Sequence, residues 1–284
     1  MEVIEKVAQV QRRCEDLRLA GKILALVPTM GFFHEGHLEL MRVAKRNADA
    51  VIISIFVNPT QFGPSEDFAA YPRDMEGDLA KAKNAGVDIA FTPTVEEMYP
   101  EGFQTTVSVG NLTNHLCGLS RPGHFQGVTT VVAKLFNIAK PHIAVFGQKD
   151  FQQLTVITKM VKDLNMDIQV VGMPTYREPD GLAMSSRNTY LNGAERKSAL
   201  ALKKSLDLAS GMYDRGERDA ARIKAAVEET ILSHPHTEID YVTVCDPVTL
   251  EDVKTLTGET LIALAVRVGK TRLIDNCLLG RDSK

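Results

Sequence analysis

Short apolar runs alternate with helix-length amphipathic segments through the first 175 residues, and this alternation leaves the chain very few folds. Val3, Val7, Val10, Cys14 and Leu17 recur at helical spacing, with Gly21 as a stop. Residues 23–27 then read as a strand buried on both faces. A loop over 29–36 leads into a helix over 37–47, and residues 51–57 form a second apolar strand ending at Asn58-Pro59. Three more pairs follow: helix 74–84 with strand 88–91, helix 128–139 with strand 142–146, and helix 150–163 with strand 168–171. The pattern predicts an α/β fold with a doubly wound, Rossmann-like parallel sheet. Ligands of such sheets sit beyond the carboxyl ends of the strands, here where the loops after Val27, Val57 and Phe146 meet.

Beyond Val171 the pattern changes. Arg177-Glu178-Pro179-Asp180-Gly181 is polar and turn-rich, which suits a hinge. Two long helices over 194–213 and 218–233 precede strand-like segments over 240–245, 261–268 and 272–278. That order predicts a second, smaller α+β domain, giving a division into 1–176 and 177–284.

Composition excludes several function classes. A net charge of −3 gives no general attraction to nucleic acid or to an anionic membrane, though a local basic site for a phosphorylated ligand is still allowed. Cys14, Cys117, Cys245 and Cys277 are far apart and form no C-x-x-C pair, which argues against a disulfide scaffold or a cysteine zinc site. Glu2 and Glu5 stand where a signal peptide would be basic, and the apolar run near residues 50–57 is too short to span a bilayer. The expected location is cytoplasmic.

Five segments carry chemistry. His34 and His37 flank Gly36 between the first strand and its helix, where unpaired N–H groups and a positive dipole end favour an anion. Imidazole donors there suit phosphate oxygens, although the spacing alone also fits a helix cap or a metal pair lacking its third ligand. Asn58 to Pro64, containing Gln61, offers neutral donors and acceptors suited to a small hydroxylated carboxylate, and its Asn-Pro and Gly-Pro steps are also ordinary turn formers. Lys149 enters a helix where it can reach phosphate as a point charge; Asp150 can cap that helix and Gln153 can share a crevice with Gln61. Met184-Ser185-Ser186-Arg187-Asn188 is either a compact phosphate clamp brought in by closure or a capping serine pair with a surface arginine. Arg121 to Gly127 adds a glycine-rich loop with a cation and His124, whereas His115, His142, His234 and His236 read as structural.

Together these segments resemble those of the pantothenate synthetase family, within the nucleotidyltransferase superfamily, in order and spacing from the first strand through Asn188. Phe33 departs from the expected leucine and is conservative in character. The resemblance implies that pantoate's carboxylate attacks the α-phosphate of ATP, and that β-alanine's amine then displaces AMP from pantoyl adenylate. It implies that His34 and His37 contact the phosphates, and that Lys149, Ser185, Ser186 and Arg187 hold the triphosphate. His34, His37, Lys149 and Arg187 would be catalytic. Gly36 and Asp150 would meet the nucleoside, with Met30, Gly147 and Met184 in the same nucleotide set. Gln61 and Gln153 would bind pantoate, with Met30 lining the pocket and Asn58 nearby. Arg121 and His124 would shape either the pantoate side or a dimer contact. Mg²⁺ would accompany ATP with no protein metal cage, and the enzyme would be a homodimer.

Two other readings stay open at this level. A nucleotidyltransferase acting on a phosphorylated alcohol shares the histidine signature, but the glutamine pair and the lack of a strongly basic acceptor loop disfavour it. A non-catalytic nucleotide sensor is disfavoured by the joint presence of His34, His37, Lys149 and Arg187.

Overall fold

A computed structural model describes residues 1–63 and 68–280, so Pro64 of the Asn58 segment lies outside the described residues. The chain forms two compact units. The first comprises Met1–Gly110, Arg121–Gln148 and Val156–Pro174; the second comprises Asn111–Ser120, Lys149–Thr155 and Thr175–Lys284.

Chain order begins β1 (Glu2–Ile4), α1 (Val7–Leu19), β2 (Leu24–Thr29), α2 (Glu35–Asn47), β3 (Ala50–Ile55), α3 (Met75–Asn84), β4 (Ile89–Phe91) and α4 (Val95–Met98). It continues with α5 (Cys117–Ser120), α6 (His124–Ala139), β5 (Ile143–Gly147), α7 (Phe151–Asp163) and β6 (Gln169–Met173). The six strands make one parallel sheet in the order β1-β4-β3-β2-β5-β6. Connections from β2 to β3 and on to β4 run one way across the sheet; those into β2, β5 and β6 run the other. Right-handed crossovers therefore place α2 and α3 on one face and α1 and α6 on the opposite face. Burial on both faces explains why β2 and β3 are continuous apolar runs, with Leu24 to Val27 almost wholly enclosed. The order reverses between β2 and β5, which is the switch point where a crevice opens at the carboxyl ends.

Two boundaries differ from expectation. Val3 belongs to β1, paired with Ala90 of β4, and not to the first helix. A three-residue edge strand carries too little alternation to be told from a helical stripe. Helix α6 starts at His124 rather than at residue 128. Gly127 inside its first turn reads as a breaker, yet a Cβ there would lie 2.4 Å from the Thr60 carbonyl oxygen and 2.7 Å from the Gln61 nitrogen. Glycine is required because the helix packs directly on the backbone of residues 60–61.

The second unit adds α8 (Gly193–Asp214), α9 (Ala220–Leu232) and the antiparallel sheet β7 (Thr237–Cys245), β8 (Thr260–Val268) and β9 (Thr271–Leu279). Its core joins Leu202 and Leu206 of α8 and Ile223, Val227 and Ile231 of α9 to Val242, Ile262, Leu264 and Val266 of the sheet. Residues 177–181, where a hinge is expected, form a tied hairpin within the second unit. Glu178 N–H donates to Leu182 O at 2.9 Å, Met184 N–H to Tyr176 O at 2.9 Å, and Arg177 bridges Ala183. Arg177 also forks onto Asp275 of β9 at 2.7 and 2.9 Å, while Arg196 of α8 pairs with Glu178 at 2.7 Å and Asp180 at 2.6 Å. A turn-rich composition does not reveal such anchors, because they come from residues far along the chain.

Candidate active site

The loop after β2 is fixed by its own backbone demands. Thr29 Oγ1 donates to Ser54 O at 2.6 Å, and Gly31 and Phe32 both take positive φ, +86° and +53°. For Phe32 that conformation costs roughly 1–2 kcal/mol. Asp78 of α3 offsets it: one carboxylate oxygen accepts from Phe32 N–H and the other from Phe33 N–H, each at 2.6 Å. Burial raises the Asp78 carboxyl above its usual range, and the two amides pull it back. A Cβ at Gly31 would lie 2.9 Å from the same carboxylate. Asp78 escaped the sequence reading. Its signal was an acid on the buried stripe of a helix, four residues before the buried Ala82.

His34 is the N-cap residue of α2 and His37 its third helical residue, so the capping alternative is realised in the fold. The rings stack at 4.0 Å between centroids, and His34 N–H donates to His37 Nδ1 at 3.3 Å. With Nδ1 accepting, neutral His37 carries its proton on Nε2, the donor form needed toward a phosphate oxygen. Gly36 is buried in the first turn between them.

After β3, Asn58 caps the short turn Pro59–Gln61. Its Oδ1 accepts from Thr60 N–H at 3.3 Å, Thr60 Oγ1 at 2.9 Å and Tyr99 OH at 2.9 Å. Its Nδ2 donates to Gly127 O at 3.1 Å and Gln61 Oε1 at 3.2 Å. Burial pushes the Tyr99 phenol up, which keeps it a donor. The Asn58 amide is thus engaged on both ends by protein, Gln61 among its partners. Gln61 Nε2 donates to Met30 Sδ at 3.1 Å, which brings these two candidate residues into contact. His124 Nδ1 donates to Gln61 O at 2.8 Å, and Arg121 contacts both that carbonyl (3.3 Å) and His124 Nε2 (3.0 Å). Gly147 ends β5, opposite Met173.

The remaining candidates belong to the second unit. Lys149 and Asp150 lie in the short turn Gln148–Asp150, where Asn276 Nδ2 of β9 donates to Lys149 O at 2.9 Å. Gln153 stands on α7. Ser185 caps the turn Ser186–Tyr190 and accepts from Arg187 N–H at 3.3 Å. Asn188 Nδ2 ties that turn to Glu178 Oε1 at 2.5 Å and to Ala183 O at 3.1 Å, so the segment 184–187 is mounted on the anchored hairpin. His142 is structural as expected: its Nδ1 accepts from Leu24 N–H at 3.0 Å. All four cysteines are free thiols. No helix among the described residues is long and apolar enough to cross a membrane.

A family model for pantoate–β-alanine ligase matches residues 2–278. The pantothenate synthetase of Syntrophus aciditrophicus is 56% identical over 282 residues, covering 99% of each chain. Among solved structures, pantothenate synthetase from Thermus thermophilus has a TM-score of 0.92 at 45% identity, covering 98% of this chain and 99% of that one. Pantoate–β-alanine ligase from Francisella tularensis, complexed with beta-gamma ATP and beta-alanine, has a TM-score of 0.80 at 32% identity, covering 98% of this chain and 97% of that one.

Proposed function

The chain belongs to the pantoate–β-alanine ligase family, and we propose that it condenses pantoate with β-alanine using ATP, through pantoyl adenylate. The observation that carries this reading is local. In the loop after β2, Met30 meets Gln61 from the loop after β3, and a helix start capped by His34 and His37 follows four residues on.

In the first step a pantoate carboxylate oxygen bonds the α-phosphorus of ATP as the bond to pyrophosphate breaks. His34 and His37 serve the negative charge that builds on the phosphate oxygens, aided by the α2 dipole. Lys149, Ser185, Ser186 and Arg187 hold the triphosphate. Gly36, Gly147, Asp150 and Met184 receive the nucleoside. Gln61 and Gln153 bind pantoate against Met30, with Asn58, Arg121 and His124 holding Gln61 in place. In the second step the β-alanine amine attacks the acyl carbon and AMP leaves. The mixed anhydride makes an acyl-enzyme nucleophile unnecessary.

Mg²⁺ would enter with ATP, held largely by phosphate oxygens and water rather than by a protein cage. Bound there, it would supply positive charge to the departing pyrophosphate. On the same reading residues 177–284 act as a lid domain, and the enzyme is a cytoplasmic homodimer.

ATP–pyrophosphate exchange with pantoate present and β-alanine absent tests the reaction. Pantoate-dependent exchange is expected; no exchange, and no AMP when all three substrates are supplied, would overturn it in favour of a nucleotide sensor. Replacing Gln61 with alanine should raise the pantoate KM about tenfold or more while leaving kcat within a few-fold, because its contact exists before the transition state. A normal pantoate KM in that variant would remove Gln61 from the pocket.

A further inference from the structure

Consecutive amides turned to one side by positive-φ residues usually make a concavity for an anion. Here the amides of Phe32 and Phe33 are taken by the chain's own Asp78 carboxylate, with the backbone turned by Gly31 and Phe32. One residue further on, Lys81 Nζ donates to Phe33 O at 2.9 Å. Asp78 and Lys81 are three residues apart on α3, and so emerge from the same helix face. Phe33 C=O and His34 N–H belong to a single planar peptide unit. Whatever fixes the carbonyl also fixes the N–H on its other edge, and that N–H is the one donated to His37 Nδ1.

We infer that Asp78 and Lys81 form a clip whose function is to set the tautomer of His37. The two side chains pin three successive peptide planes, the third presents its N–H to Nδ1, and the imidazole proton is thereby kept on Nε2. Neither residue touches substrate; both are positioning residues. The consequence for catalysis rests on the ligase reading above, whereas the tautomer itself is a property of the free protein. A merely structural clip would hold the loop and the fold together without selecting a tautomer.

The test is made on the full-length chain. Long-range ¹H–¹⁵N spectra of the histidine rings read the His37 tautomer directly, with assignment by the His37→Gln variant. Lys81→Met keeps the apolar stem and removes the donor. It is expected to shift His37 from the Nε2–H form toward a mixture with Nδ1–H, and to lower kcat roughly tenfold at unchanged pantoate KM. Lys81→Arg restores a donor to Phe33 O and should recover most of both signals. Asp78→Asn, which replaces one acceptor oxygen with an N–H donor, should act in the same direction. A wild-type His37 spectrum in both Lys81→Met and Asp78→Asn would overturn the clip, as would a rate loss that follows only the folded fraction. If the wild-type chain shows no pantoate-dependent exchange, the ligase reading fails, and the spectra still decide the clip.

Discussion

Replacing His37 with alanine is expected to lower pantoate-dependent adenylation by roughly 10²–10³, the range for removing one donor aimed at developing charge. The effect belongs in kcat, and the pantoate KM should move little, since Asn58 and His124 hold Gln61, with Tyr99 on Asn58. His37→Gln offers a donor of similar reach and should recover part of the loss. Single-turnover formation of the adenylate measures this without interference from product release. An alanine variant with unchanged adenylation would strip His37 of its role.

Breaking the Arg177–Asp275 pair is expected to cost about 3–5 kcal/mol of stability, read by urea unfolding. The Asp275 side chain has 0% exposure and takes both arms of the guanidinium, so Arg177→Ala strips a buried carboxylate of its counter-ion and leaves it the Asn276 N–H at 2.8 Å. Replacing both residues together, as Arg177→Met with Asp275→Leu, should recover a large part of that loss, because the desolvation penalty leaves with the charges. A double-mutant cycle measures the coupling. A single variant within about 1 kcal/mol of the parent would show that the pair contributes little. Arg177 also donates to Gly181 O at 3.1 Å, so the same change loosens the hairpin that carries residues 184–187.

The parallel sheet was legible because full burial writes itself as uninterrupted apolar runs at β2, β3 and β5. Helix–strand alternation with short connections then leaves little topological choice. Legible too were the chemically distinctive residues of the loops, since two histidines around a glycine before a helix have few uses. What escaped was structure created by distance along the chain. Asp78 stands 46 residues from Phe32, and its role depends on which face of α3 meets the loop. The partners that hold the Asn58 amide, Tyr99 and Gly127, lie 41 and 69 residues away along the chain. The hairpin at 177–181 was hidden because its anchors, Asp275 and Arg196, lie downstream. Val3 was lost to a neighbouring helical stripe because an edge strand of three residues has no period of its own.

The strand order has a consequence for how the molecule comes into being. Ala25 of β2 pairs with Ile143 of β5, so the centre of the sheet cannot close until residue 143 has been synthesised, 118 residues after its partner. During translation β2 can meet β3 and β4 on one side only, and its other edge waits as an open row of backbone donors and acceptors. Late closure of a distant parallel pair is the slow step that topology imposes on such a chain. The switch-point crevice, where ligand is expected, therefore lies along a seam between β2 and β5 that closes only once more than half of the chain has been made.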